Sequence, residues 1–240
     1  MSFTARHDSE GAEAAVEVLD RLETFRAELE RIFAVTPGEV AVVLHSHDLQ
    51  LALAHPWMPL ARAVSAPAAR RYFAGWFAKG EIHALAPHVL AGRASRVPGS
   101  REALELAPLH EYAHLVLGLN NASLPPPFSP RSFARYLRWA WLCEGAATHF
   151  CGQTRYLRPA LVRRLKEGAA PAFPPVARDA LLLGGTIFTL LERGAGTTAC
   201  VTLASTLDPA GPRAAIERAF SRPVEEVEED WREYLEGLLA

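Results

Sequence analysis

LHEYAHLVLG, residues 109–118, decides how the rest of this chain is read. Leu109, Ala113, Val116 and Leu117 recur at the three- and four-residue steps of a helix, and Gly118 supplies a C-terminal stop. On a helix, residues four apart share a face. His110 and His114 can therefore reach one Zn²⁺, while Glu111 between them is placed as a general base toward a metal-bound water. Pro108 allows two starts: a helix opening at the proline, or an earlier helix from Arg101 kinked there.

C-terminal to this segment the pattern is helical: residues 130–157, 159–167, 176–193, 197–207, 212–220 and 223–239 each support a helix, divided by Gly, Pro or Asn. N-terminal to it the texture is mixed. An amphipathic helix is expected from about Ser9 to Phe33, on Ala15, Val18, Leu19, Leu22, Phe25, Leu29, Ile32 and Phe33. VAVVL at 40–44 reads as a buried strand, 49–53 as a possible second and 81–86 as the last, with short strands and loops over the proline-broken stretch between. Strands first and helices afterwards indicate an α+β fold. No linker divides the chain, so residues 1–240 are expected to form one domain: a helix-plus-sheet lobe over 1–118, carrying the His helix, and a helical lobe over 119–240.

Composition narrows the function. With 50% hydrophobic and 22% charged residues and a net charge of −2, the chain has the make-up of a folded protein without the basic field that nucleic acid or anionic membrane would require. The basic residues Arg155, Arg158, Arg163, Arg164 and Lys166 lack aromatic interleaving, so no nucleic-acid partner is expected. The longest apolar run, 180–191, is too short for a membrane span. MSFTARHDSEGAEAA lacks the apolar core of a secretory signal, and Cys143, Cys151 and Cys200 make neither a disulfide framework nor a metal ribbon, so a cytoplasmic location is expected with the cysteines in the core.

Two histidines and an open position call for a third ligand. In the pattern HExxHxxGxxH the glycine here comes one position late, and Asn120 stands where the third His would be, which excludes that class. Glu144, in Trp141-Leu142-Cys143-Glu144-Gly145-Ala146-Ala147, offers a carboxylate from the next helix and completes a His₂Glu set. A lone carboxylate in such apolar company is costly unless a cation is near.

HEYAHLVLG followed by WLCEGAA resembles the gluzincin metallopeptidases, and most of all the compact peptidase MA-like group. The resemblance implies a thermolysin-like zincin fold, one zinc ion on His110, His114 and Glu144, Glu111 as base, and a peptide or protein substrate. Departures from the family are also visible. The gap between His114 and Glu144 is long, its surplus lying in the loop 120–130 (NNASLPPPFSP), which would border the cleft. The strand signature that binds a substrate N-terminus in the aminopeptidases is absent. The downstream Tyr or His that stabilises the oxyanion is missing from 179–192, leaving His149, Tyr156 and Tyr136 as substitutes, with His149 carried as a candidate catalytic residue. The strand at 82–86 is expected to receive substrate backbone as an added strand. A metal-binding zincin with a regulatory or binding role in place of catalysis is the competing expectation.

Other clusters read as structure. His45 and His47 share a strand face, and with His83 they would make a solvated strand end lacking a third ligand. The acidic run 225–230 suits the positive end of the last helix.

Overall fold

The computed structural model describes all residues except 1, 9–10, 79, 125–128 and 240. The elements run β1 (Phe3–Arg6), α1 (Ala12–Leu29), β2 (Val40–His45), α2 (Asp48–Ala54), α3 (Met58–Val64), α4 (Pro67–Arg70), β3 (Gly75–Ala78), β4 (Glu81–Leu85), α5 (Pro87–Arg93), α6 (Ser100–Glu105), α7 (Ala107–Asn120), α8 (Pro130–Arg138), α9 (Ala140–Phe150), a 3₁₀ turn (Gln153–Tyr156), α10 (Arg158–Lys166), α11 (Ala180–Ser205), α12 (Pro212–Phe220) and α13 (Val224–Leu239). This is an α+β fold, mostly helical, with one four-stranded mixed sheet in the order β1-β2-β4-β3.

β1, β2 and β4 are parallel neighbours, with Phe3 opposite Val40 and Val42 opposite Ile82; β3 returns antiparallel on β4, Trp76 opposite His83. β2 alternates buried and half-buried residues, so Val40, Val42 and Leu44 make its core face. α1 buries Ala15, Val18, Leu22, Phe25 and Leu29. Phe25 and Phe3 both meet the Tyr112 ring edge-on, at 6.1 and 5.1 Å, which ties α7 to the sheet lobe on its far side from the histidines.

Several expectations need correction. Residues 49–53 are helical. A strand would have put Leu49, Leu51 and Leu53 on one face, but α2 buries Leu51 alone and leaves Leu49 68% and Leu53 76% exposed. Of the prolines read as breakers, Pro56 lies in a turn, but Pro59 and Pro67 are first-turn prolines of α3 and α4, as Pro87 is of α5, where the missing N–H has no helical partner to lose. β1 was not anticipated, because four residues carry too little periodicity. Both starts considered for the His helix are partly realised: α6 and α7 abut at Leu106, and Pro108 lies in the first turn of α7.

Residues 130–157 divide into α8, α9 and the 3₁₀ turn, broken at Trp139 (φ −109°, ψ 16°) and at Gly152, whose φ of 73° favours glycine. The two helices expected around 176–207 are present within the element α11, divided at Gly196, whose backbone (φ 79°, ψ 176°) is not helical. Before it, the segment 167–179 is pinned by a buried ion pair. Arg164 donates Nε to Asp179 Oδ1 at 2.5 Å and Nη2 to Oδ2 at 2.7 Å, and its Nη1 reaches the carbonyls of Glu167 and Ala169. No helix among the described residues is long and apolar enough to cross a membrane. Part of the loop 120–130, expected to border the cleft, lies outside the described residues.

Candidate metal centre

His110 and His114 project from α7 and Glu144 from α9, and all three are buried, at 5%, 5% and 6% exposure. The separations are 3.0 Å between the two Nε2 atoms, 3.3 Å from His110 Nε2 to Glu144 Oε2, and 3.6 Å from His114 Nε2 to Glu144 Oε1. A tetrahedral ion with ligands at about 2.0–2.2 Å has ligand-to-ligand edges of roughly 3.3–3.6 Å. The two histidine–carboxylate separations match those edges and the His–His one is slightly shorter, a spacing that suits one metal ion; among the described residues no other group of three His, Cys, Asp or Glu side chains comes as close together.

α9 reaches this position through close backbone contact. Gly145 lies on Gly184 of α11, so near that a Cβ on Gly145 would come within 2.5 Å of the Gly184 carbonyl carbon. Gly145 in WLCEGAA thus sets how deep Glu144 sits, and Ala146, Ala147 and Thr148 are buried around it. From the other side, β3 delivers two residues that were not singled out in the sequence. Phe77 stacks on the His114 ring with centroids 4.4 Å apart and planes at 18°. Gly75 leaves the space in which Glu111 lies: a Cβ there would be 2.5 Å from Glu111 Cγ and 2.6 Å from its Oε1. A glycine opening a short strand is the signal of close approach that could have found it.

Electrostatics separate the four groups. Burial pushes Glu111 up to about 8, with Glu144 adding and the His110 charge opposing. Burial also drives His114 down to about 3. Burial pushes Glu144 up, but His114, His110 and the Tyr136 hydroxyl outweigh it and hold the carboxyl at about 2. His110 is raised well above its usual range against its own burial, through Cys151, Glu144 and Glu111. His110 and Glu144 thus favour each other's charged form. One cation in place of the His110 proton would satisfy the Nε2 lone pairs and the carboxylate together.

Of the three substitutes for the oxyanion donor, Tyr136 alone reaches the triad. Its buried hydroxyl on α8 donates to Glu144 Oε1. His149 instead contacts α11, 3.6 Å from Glu192 and tilted on Phe188, and Tyr156 lies under Arg155 in the 3₁₀ turn. Cys143 and Cys151 are buried free thiols, as expected; burial raises Cys143 far out of the thiolate range.

Two further expectations change. β4, expected to receive substrate backbone, is paired on both sides; the edge strands are β1 and β3, and β3 is the one beside the triad. His83 is buried, not solvated: its Nδ1 lies 3.0 Å from His45 Nε2, its Nε2 bonds Glu81 at 3.1 Å, and the two rings stack. His47 stays exposed at the start of α2.

Space beside the triad is small. Two cavities, one against His114 and the other against Glu144, both lined by Tyr136, measure about 10 Å³ each, room for a single water. Roomier clefts, about 620 Å³ along α1, 590 Å³ between α8 and residues 207–209, and 390 Å³ between α11 and α12, contain no member of the triad. No family model matches the chain, and comparison with curated proteins and with solved structures returns no match.

Proposed function

We propose that the protein is a zinc-dependent hydrolase of peptide bonds, with the thermolysin-like zincin arrangement that the sequence resemblance implies. The observation that carries this reading is the placement of Glu111. A carboxylate that is not one of the three ligands is buried beside them in a slot opened by Gly75, placed to exchange a proton there. A structural metal site has no use for such a group.

In this reading His110, His114 and Glu144 hold the ion. A bound zinc lowers the pKa of a coordinated water and polarises a carbonyl oxygen. Glu111 accepts the proton of the attacking water and passes it to the leaving amine. The Tyr136 hydroxyl, now on Glu144, is the nearest donor for charge developing on the substrate oxygen. The free edge of β3 offers an extended peptide its main-chain partners, and Phe77 keeps the His114 ring oriented toward the ligand set. Since the cavities beside the triad admit no more than water, α8 must move aside for a substrate.

The same closure supports a second reading: a metal-binding zincin that regulates or binds a partner without turnover. A digest of a mixed peptide library separates the two. The peptidase reading expects cleavage that a chelator abolishes and zinc restores, and that Glu111→Gln removes while stoichiometric zinc is retained. Zinc binding with no cleavage in any arm would favour the second reading.

A further inference from the structure

Residues 112–143 contain no Asp, Glu or Lys, although Asp and Glu number 27 in the chain, and their three arginines, Arg131, Arg135 and Arg138, all lie on α8. Steps of four and three put them on one face of the helix. All three are exposed, while Phe133 and Tyr136 are buried beneath. None is paired with a carboxylate among the described residues; Arg135 gives Nη1 to the Ser123 carbonyl, a bond that leaves its charge uncompensated. The neighbouring helices differ. Arg163 of α10 meets Glu167, Arg213 of α12 meets Glu225, and Arg232 of α13 meets Glu228.

Arg135 and Arg138, with Ser123, Trp139 and residues 207–209, line the groove of about 590 Å³. The acid in it, Asp208, is already bonded by Arg218 and by the Ala210 amide. This groove adjoins the triad: Ser123 and Arg135 are next in the chain to Leu124 and Tyr136, which line the small cavity on His114. Charge and shape together select the occupant. From Arg131 to Arg138 the helix rises about 10 Å, the length of roughly three extended residues. Single-stranded nucleic acid would ask for exposed rings, and Trp139, the ring lining the groove, is buried. An anionic bilayer is held by clusters of roughly four to eight cations, more than α8 offers. A short run of Asp or Glu in an extended polypeptide matches the row in length and sign, and its carboxylates suit the guanidinium fork.

We infer that the arginine face of α8 and the groove beside it form a docking surface for an acidic stretch of the polypeptide substrate, outside the residues around the scissile bond. This inference rests on the peptidase reading, and its test scores binding and cleavage separately so that either can fail alone.

Two fluorescein-labelled peptides with Ser-Gly flanks differ in a central hexapeptide, Asp/Glu in one and Ser/Thr/Gln in the other. Binding is read by anisotropy on the zinc-loaded Glu111→Gln protein, freed of unbound metal, with and without Arg135→Gln plus Arg138→Gln. The acidic peptide is expected to bind about ten-fold more tightly at low ionic strength, with the preference shrinking as salt is raised. The double substitution should remove that preference. Arg131→Gln plus Arg138→Gln, which keeps the Arg135 bond to Ser123, repeats the test should the first pair disturb the chain around Ser123. Equal affinity for the two peptides, or a preference that survives both pairs, overturns the inference. So does loss, on substitution, of a salt-sensitive dimer, of oligothymidylate binding or of binding to phosphatidylserine vesicles in place of the peptide effect. Acidic binding through this face, with no cleavage of a mixed peptide library by the wild type, removes the peptidase reading and leaves the docking surface. Cleavage of that library with no acidic preference in binding does the reverse.

Discussion

The two walls of the metal centre are built by opposite means. On the α9–α11 side, backbone rests on backbone at Gly145 and Gly184, and the start of α11 is clamped by the buried Arg164–Asp179 pair. On the β3–α8 side the contacts are side-chain ones: Phe77 on His114, Tyr136 on Glu144, and Trp57 on Phe133, next to helices whose outer leucines face solvent. The first wall has no slack and sets where Glu144 sits. The second is closed by side-chain contacts instead of backbone ones.

The strongest way to break that contrast is Gly145→Val. The added branches meet the Gly184 backbone, which cannot rotate away, and the expected result is a chain destabilised by about 3 kcal/mol or more, or insoluble. A variant with wild-type denaturation behaviour would mean that the contact is looser than described. Asp179→Ala follows, leaving the Arg164 guanidinium buried and unpaired at an expected cost of about 3–5 kcal/mol, read from the midpoint of urea unfolding.

A smaller, pH-dependent effect is expected at Glu111 in chelator-treated protein. Its folded pKa of about 8 lies above the ordinary 4.5, so the folded state holds the extra proton, and the stability tied to it is lost as pH rises from about 4.5 to 8. Glu111→Gln cannot ionise. Its melting temperature should exceed that of the wild type by a margin that widens across this window; a constant margin would place the carboxylate in a more solvated setting. The smallest expected change is Gly237→Ala on α13, where a Cβ meets nothing within 4 Å: a gain of about 0.5–1 kcal/mol. The same chemical change, a side chain on a helical glycine, should thus have opposite signs at 145 and 237.

Much of the centre was legible in the sequence because it depends on local spacing. Histidines four apart on a helix need no tertiary information, and the apolar frame of Glu144 marked a carboxylate in want of a cation. The helical C-terminal half was legible for the same reason, with Gly152 and Gly196 at its breaks. Contributions from outside these segments were not. Gly75 and Phe77 matter only because β3 comes back along α7, and strand order is a property of long-range pairing that a four-residue run does not encode. For α2, the alternation Leu49, Leu51, Leu53 fits a strand as well as a helix, and only the burial of Leu51 alone distinguishes them. Tyr136, a substitute among three, was set apart by the break at Trp139, which lets α8 fold back over Glu144.

The central claim is that His110, His114 and Glu144 hold a single zinc ion. Elemental analysis of the purified protein combined with zinc-edge X-ray absorption tests it most directly. The expected result is one zinc per chain, bound by two imidazole nitrogens and by oxygen at about 2.0–2.2 Å, falling to a small fraction of occupancy in His114→Ala and Glu144→Ala. Absence of stoichiometric zinc after reconstitution, or a sulfur shell at about 2.3 Å bringing Cys143 or Cys151 into the ligand set, would contradict it.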